Sequence, residues 1–153
     1  MKKIKGIWLY GLSGTGKSYA SNYLKKKLRK SIIIDGDEFR KYISFDLNYS
    51  LKHRQIQIKR IFGLSSILIK AGYLPIASSV YMNTEIKNKL KEKNILLILV
   101  RRNMITIMKN NKTYKNKKNI VGVDINYSNK LKTKSIFNNG DKKFCPSIIK
   151  LIK

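Results

Sequence analysis

Residues 11–18 read Gly11-Leu12-Ser13-Gly14-Thr15-Gly16-Lys17-Ser18, and this stretch decides the fold class. Its glycines permit backbone turns that aim several N–H groups at one anion. A helix starting at Lys17 adds the positive end of its dipole. Just before the loop, Ile7-Trp8-Leu9-Tyr10 is a short apolar run that reads as a strand. After it, Ala20, Tyr23, Leu24 and Leu28 recur at helical spacing between Lys17 and Lys30. Strand, loop and helix are the context in which the G-x-x-x-x-G-K-S pattern binds a nucleotide phosphate rather than forming a mere glycine turn.

Outward from the loop, strands and helices alternate. Ser31-Ile32-Ile33-Ile34 is β-branched and ends at Asp35-Gly36-Asp37, and Glu38 to Ser44 reads as a short helix. From Arg54 to Ala71 the residues Ile58, Ile61, Phe62, Leu68 and Ile69 follow the 3.6-residue period, and Gly72 stands where a helix ends. Tyr73 to Ser79 reads as a strand, Thr84 to Lys93 as a helix capped by Asn83, and the fully apolar Ile95 to Val100 as a buried strand. Met104 to Lys109 reads as helical, Ser135-Ile136-Phe137 as a last strand, and Ser147 to Lys153, after Pro146, as a terminal helix. This order predicts an α/β fold of the P-loop NTPase type, a three-layer sandwich with a mostly parallel sheet in one domain over residues 1–153. The polar, lysine-rich stretch Asn110 to Asn119 reads as an excursion, and a lid-like segment is expected over about 110–122.

Composition narrows the function classes. The 153 residues carry 34 Lys+Arg and 8 Asp+Glu, a net charge of +26 that favours anionic partners. Lysine is interspersed with asparagine and isoleucine along most of the chain, so the excess reads as compositional bias more than as a nucleic-acid footprint. The single cysteine, Cys145, pairs with nothing internally, and a reducing, cytoplasmic setting is expected. The longest apolar run, Ile95 to Val100, is far short of the ~20 residues of a membrane-spanning helix. No membrane partner is expected, and a homodimer is left open.

The chemistry expected at the loop follows from its side chains. Lys17 would bridge the β- and γ-phosphate oxygens of ATP, and the Ser18 hydroxyl would take a place on Mg²⁺. Asp35 and Asp37 end the second strand, expected beside the first, where strand C-termini line a ligand crevice. Both should face an acceptor, one accepting or orienting its hydroxyl proton; the competing reading has them only capping the next helix. Arg40, nearly a turn beyond Asp37, suits an acceptor phosphate held bidentately, or else a solvated helix face.

Two motifs at matching separation, Gly11 to Ser18 and Asp35-Gly36-Asp37-Glu38-Phe39-Arg40, resemble the adenylylsulfate kinase family, which phosphorylates the 3′-hydroxyl of adenosine 5′-phosphosulfate. Asp46-Leu47-Asn48-Tyr49-Ser50 is similar to the family's Asp-Leu-Gly-Phe-Ser, and Arg54, Gln57 and Lys59-Arg60 fall where it has Arg, Asn and an Arg pair. Lys112-Thr113-Tyr114-Lys115 resembles its lid, and Val121-Gly122-Val123-Asp124 its Thr-Gly-Ile-Asp. The resemblance implies an ATP- and Mg²⁺-dependent phosphotransferase. In it Gly11 to Ser18 hold ATP, Lys17, Asp35 and Asp37 are catalytic, and Ser18 contacts metal. Asp37, Arg40, Tyr49, Arg54, Gln57, Lys112 and Ile120 would surround the acceptor, with Tyr49 and Ile120 flanking its base.

Departures from the family bear on which nucleotide accepts the phosphate. Ser79-Val80-Tyr81-Met82 stands where the family has Phe-Ile-Ser-Pro, the acidic residue before its Arg is His53, and its Arg-Asp near the lid is Asn110-Asn111. Competing readings are a kinase for a cytidine diphosphate-linked or other nucleoside phospho-anhydride, a polynucleotide 5′-hydroxyl kinase or nucleic-acid-binding P-loop protein, and an inactive nucleotide-binding scaffold.

Overall fold

A computed structural model describes residues 3–110 (the Asn110 side chain excepted), 114, 120–122, 125 and 131–152. Eleven elements alternate along it: β1 Gly6–Tyr10, α1 Lys17–Lys27, β2 Ser31–Ile34, α2 Gly36–Tyr42, α3 Leu51–Lys70, β3 Leu74–Ser79, α4 Thr84–Glu92, β4 Ile95–Arg101, α5 Met104–Asn110, β5 Lys134–Phe137 and α6 Phe144–Ile152. The strands form one five-stranded sheet in the order β2-β3-β1-β4-β5, and every adjacent pair is parallel. The expected α/β sandwich is present. The expectation that β2 lies beside β1 is corrected, because β3 is inserted between them and pairs with both.

Two apolar layers explain the strand sequences. Trp8, Tyr10, Ala77, Leu97 and Leu99 face α2, α3 and α4, packing on Phe39, Ile58, Ile61, Ile86 and Leu90. Ile7, Leu9, Ile76, Ile98 and Val100 face the other way, onto Ala20 and Leu24 of α1 and Phe144, Cys145 and Ile148 of α6. With both faces covered, β1 and β4 read as unbroken apolar runs instead of alternating. The chain leaves β1 toward the layer of α1 and leaves the neighbouring β3 toward the layer of α4. Connections that part to opposite faces open a crevice at the C-terminal ends of these two strands.

Helix boundaries differ from the periodicity reading in ways that capping explains. α3 starts at Leu51, not Arg54, because Ser50 is extended and its hydroxyl accepts the His53 amide at 3.4 Å. The first turn, Leu51-Lys52-His53, has a single apolar residue and so carried no apolar period. α6 starts at Phe144, so Pro146 sits inside its first turn, where no amide donor is needed. The Asp141 carboxylate caps this start, accepting the Lys143 and Phe144 amides at 2.9 and 3.1 Å. α1 stops at Lys27, as Leu28 turns extended and Lys30 adopts φ 52°. Among the described residues no helix is long and apolar enough to cross a membrane. Most of the lid-like segment, with Lys112, lies outside the described residues.

Candidate active site

The loop from Gly11 to Ser18 crosses the crevice between β1 and α1. Gly11 adopts φ 150°, and a Cβ there would run into the Val100 carbonyl, so β4 enforces glycine. Gly16, at φ 100°, would push a Cβ to 2.5 Å from Asn138 Nδ2. The turn is closed by the Thr15 amide and hydroxyl, which donate to the Leu12 carbonyl at 3.4 and 3.0 Å. From outside, Asn138 Nδ2 donates to Thr15 O at 2.8 Å, Arg102 to Gly14 O at 3.2 Å and the Tyr114 hydroxyl to Ser13 O at 3.2 Å. The N-cap of α1 is Gly16, which has no side chain to cap it, so among the described residues the first-turn amides of α1 are open to an anion.

Lys17 curls over this loop and donates to Gly11 O and Leu12 O, both at 2.8 Å. Burial of the ammonium lowers its pKa to about 8, against the opposing pull of Asp37 and Asp35. A desolvated cation beside open amides is strongly drawn to phosphate.

The two carboxylates at the end of β2 have separate surroundings. Asp35 Oδ1 accepts the Asp37 and Glu38 amides at 3.0 and 3.4 Å and so caps α2. Its Oδ2 accepts the hydroxyls of Ser18 at 2.7 Å and Ser78 at 3.2 Å. Burial pushes the Asp35 carboxyl up, but these bonds outweigh it and hold the pKa below the usual carboxylate value. Asp37, the second residue of α2, lines the same cleft, and among the described residues its carboxylate has no hydrogen bond or ion pair.

Opposite the loop stands a cationic and aromatic wall. Arg40 of α2 lies over the Tyr49 ring at 4.7 Å and Arg54 of α3 at 5.5 Å. Arg40 also donates to Leu47 O and Asn48 O at 3.2 and 2.8 Å, and Arg54 to Tyr49 O at 3.0 Å. Gln57 is 4% exposed, donates to Gly36 O at 2.9 Å, and leaves its buried Oε1 without a hydrogen-bond partner among the described residues.

One cleft of about 280 Å³ collects most of the residues singled out from sequence: Ser13, Gly14, Gly16, Lys17 and Ser18 on one side, with Asp35 and Asp37 between, and Arg40, Tyr49, Arg54 and Gln57 on the other. Gly11, Leu12 and Thr15 support the loop without lining the cleft. Ile120 does not line it either; it is 8% exposed, and its carbonyl accepts the Ile125 amide at 3.1 Å. Sequence reasoning missed Ser78, Arg102 and Asn138. Asn138-Asn139-Gly140 had the signature of a turn, and nothing in it signalled a bond to a loop 123 residues earlier.

Comparison with known proteins fits this geometry. The adenylylsulphate kinase family model matches residues 3–134. The adenylyl-sulfate kinase of Buchnera aphidicola subsp. Acyrthosiphon pisum is 34% identical over 102 residues, covering 61% of this chain and 50% of that protein. A probable adenylyl-sulfate kinase of Synechocystis sp. is 35% identical over 89 residues, covering 56% and 50%. The chain thus spans about half the length of the curated relatives it matches. In structure it is similar to the Mycobacterium tuberculosis APS kinase solved with AMPPNP and APS, with TM-score 0.84, 99% of each chain covered and 17% identity, a likeness of fold. With the family model spanning all but the ends of the chain, the protein belongs to the adenylylsulphate kinase family.

Proposed function

We propose that this protein transfers the terminal phosphoryl group of ATP to the hydroxyl of a small nucleotide, with the 3′-hydroxyl of adenosine 5′-phosphosulfate as acceptor. The observation that carries the reading is that a phosphate loop and the Arg40–Tyr49–Arg54 cluster line one cleft, in which Asp37 is near enough to act on the charges of Lys17, Arg40 and Arg54. The open amides and Lys17 bind the donor phosphates and neutralise charge that spreads over the transferred group. Tyr49 offers a face to the acceptor base, and the two guanidiniums offer fork geometry to its phosphate and sulfate oxygens.

Asp37, not Asp35, is assigned to the acceptor hydroxyl. Both Asp35 oxygens already accept hydrogen bonds, which hold it ionised and in place. Asp37 is turned to the cleft and can accept a proton. The Ser18 hydroxyl and Asp35 Oδ2, hard oxygen donors 2.7 Å apart at the loop, suit Mg²⁺. The metal, once bound, would neutralise phosphate charge; these two residues would hold it directly or through water.

Purified protein given ATP, Mg²⁺ and adenosine 5′-phosphosulfate is expected to release ADP together with a 3′-phosphorylated product. ADP formation no faster with the acceptor than without it would overturn the reading.

A further inference from the structure

The only histidine, His53, does not line the cleft, yet it bonds the segment that carries Tyr49. It is the third residue of α3, the position from which a Glu or Gln side chain reaches back to an amide ahead of the helix in a capping box. Here the imidazole does so: the Asn48 amide donates to His53 Nδ1 at 2.9 Å. Around that bond the Ser50 amide donates to Asn48 Oδ1 at 2.9 Å and the His53 amide to the Ser50 hydroxyl at 3.4 Å. The same Asn48 offers its carbonyl to Arg40 at 2.8 Å, and the next residue is Tyr49, whose ring both Arg40 and Arg54 contact.

We infer that His53 is a positioning residue for the acceptor side of the cleft, acting through the Asn48 amide to fix Tyr49 and Arg40. The cleft's use as an acceptor site rests on the function proposed above; the anchoring does not. The imidazole Nδ1 accepts the Asn48 amide as a ring-nitrogen acceptor, and an Asp or Asn side-chain oxygen at the same position could accept it in its place.

Two readouts test this on the full chain. Amide exchange should show Asn48 protected in the native protein and in His53→Asp, and less protected in His53→Ala. In steady-state kinetics His53→Ala should raise KM for the acceptor about tenfold and leave KM for ATP within about twofold, with His53→Asn, whose Oδ1 can replace Nδ1, recovering most of the loss. Equal rises in both KM values, or Asn48 exchange unchanged in His53→Ala, would overturn the inference. Should His53→Ala fail to fold, the scalar coupling across the Asn48 N–H···Nδ1 bond in the native protein decides, its absence overturning the inference. Should the native protein not turn over the acceptor at all, the function proposed above falls, and the exchange measurement still decides the anchoring.

Discussion

Lys17 has the most consequential electrostatics in the molecule, because burial works against its charge while its role requires that charge. Below about pH 8 the free ammonium is protonated, and above it the amine is neutral. Affinity for a nucleotide phosphate is therefore full near neutral pH and falls as pH rises through 8. A bound phosphate stabilises the ammonium, so ADP binding at pH 8 should take up roughly half a proton, measurable by calorimetry in buffers of different ionisation heat. Binding without proton uptake would contradict the lowered pKa. Lys17→Ala should cut turnover by at least about 10³-fold, a loss on the scale of removing a transition-state charge donor. It should not lower the melting temperature, since burying this ammonium costs folding free energy. The two aspartates separate in the same way. Asp37→Asn is expected to lower kcat by about 10²–10⁴-fold with ADP binding intact, the range for loss of a general base. Asp35→Asn should weaken both, as it disturbs the Ser18 and Ser78 bonds and the α2 cap.

Between elements, the phosphate loop is held from behind by the β5–α6 connection, and that bracket was invisible in the sequence. Asn138 spends all its groups there: its amide donates to Arg101 O at 2.8 Å, its Nδ2 to Thr15 O at 2.8 Å, and its Oδ1 accepts the Gly140 amide at 2.8 Å. Asn138→Ala should weaken ADP binding several-fold while acceptor binding changes little, the cost of leaving the buried Thr15 carbonyl unpaired being about 1–3 kcal/mol. Titrating ADP and the acceptor separately into the variant checks it, and equal weakening of both would argue for a general loss of structure. What was legible and what was not divides along this line. The periodicities of β4 and α3 and the glycines of the loop are local properties, and they located the elements. The insertion of β3 between β1 and β2 is a long-range outcome of how the crossovers pack, and no residue in β2 announces its neighbour. The Asp35 cap was legible as one of two readings of that carboxylate, whereas the Ser50 cap that starts α3 at Leu51 was not.

Across the whole molecule, charge is the least balanced quantity. Thirty-four cationic side chains face 8 acidic ones, and among the described residues the ion pairs are Lys59–Glu85, Arg60–Asp46 and Lys89–Glu85. Most of the excess repels itself across the surface, which opposes the compact state at low ionic strength. Near the cleft the charge is set against structure, in the Arg40 and Arg54 guanidiniums on Tyr49. Salt should therefore act in opposite directions on folding and on binding. Raising ionic strength from about 0.01 to 0.15 M shortens the screening length from about 30 to 8 Å, so surface repulsion fades while contacts inside the cleft are screened less. The melting temperature is expected to rise by several degrees over that range, and more with sulfate than with chloride, because a divalent anion can also occupy the phosphate loop. Affinity for ADP should fall over the same range, but only modestly. A steep fall in affinity for plain DNA, with a log–log slope of several units, would instead mark a surface built to track a polyanion. The last-turn lysines Lys25, Lys26 and Lys27 of α1 and Lys89 and Lys91 of α4 sit on separate elements, which argues for the shallow response. Thermal denaturation and ADP titration in a chloride series measure both halves, and a melting temperature that falls as salt is added would show that the surface charges are paired more favourably than these few bridges indicate.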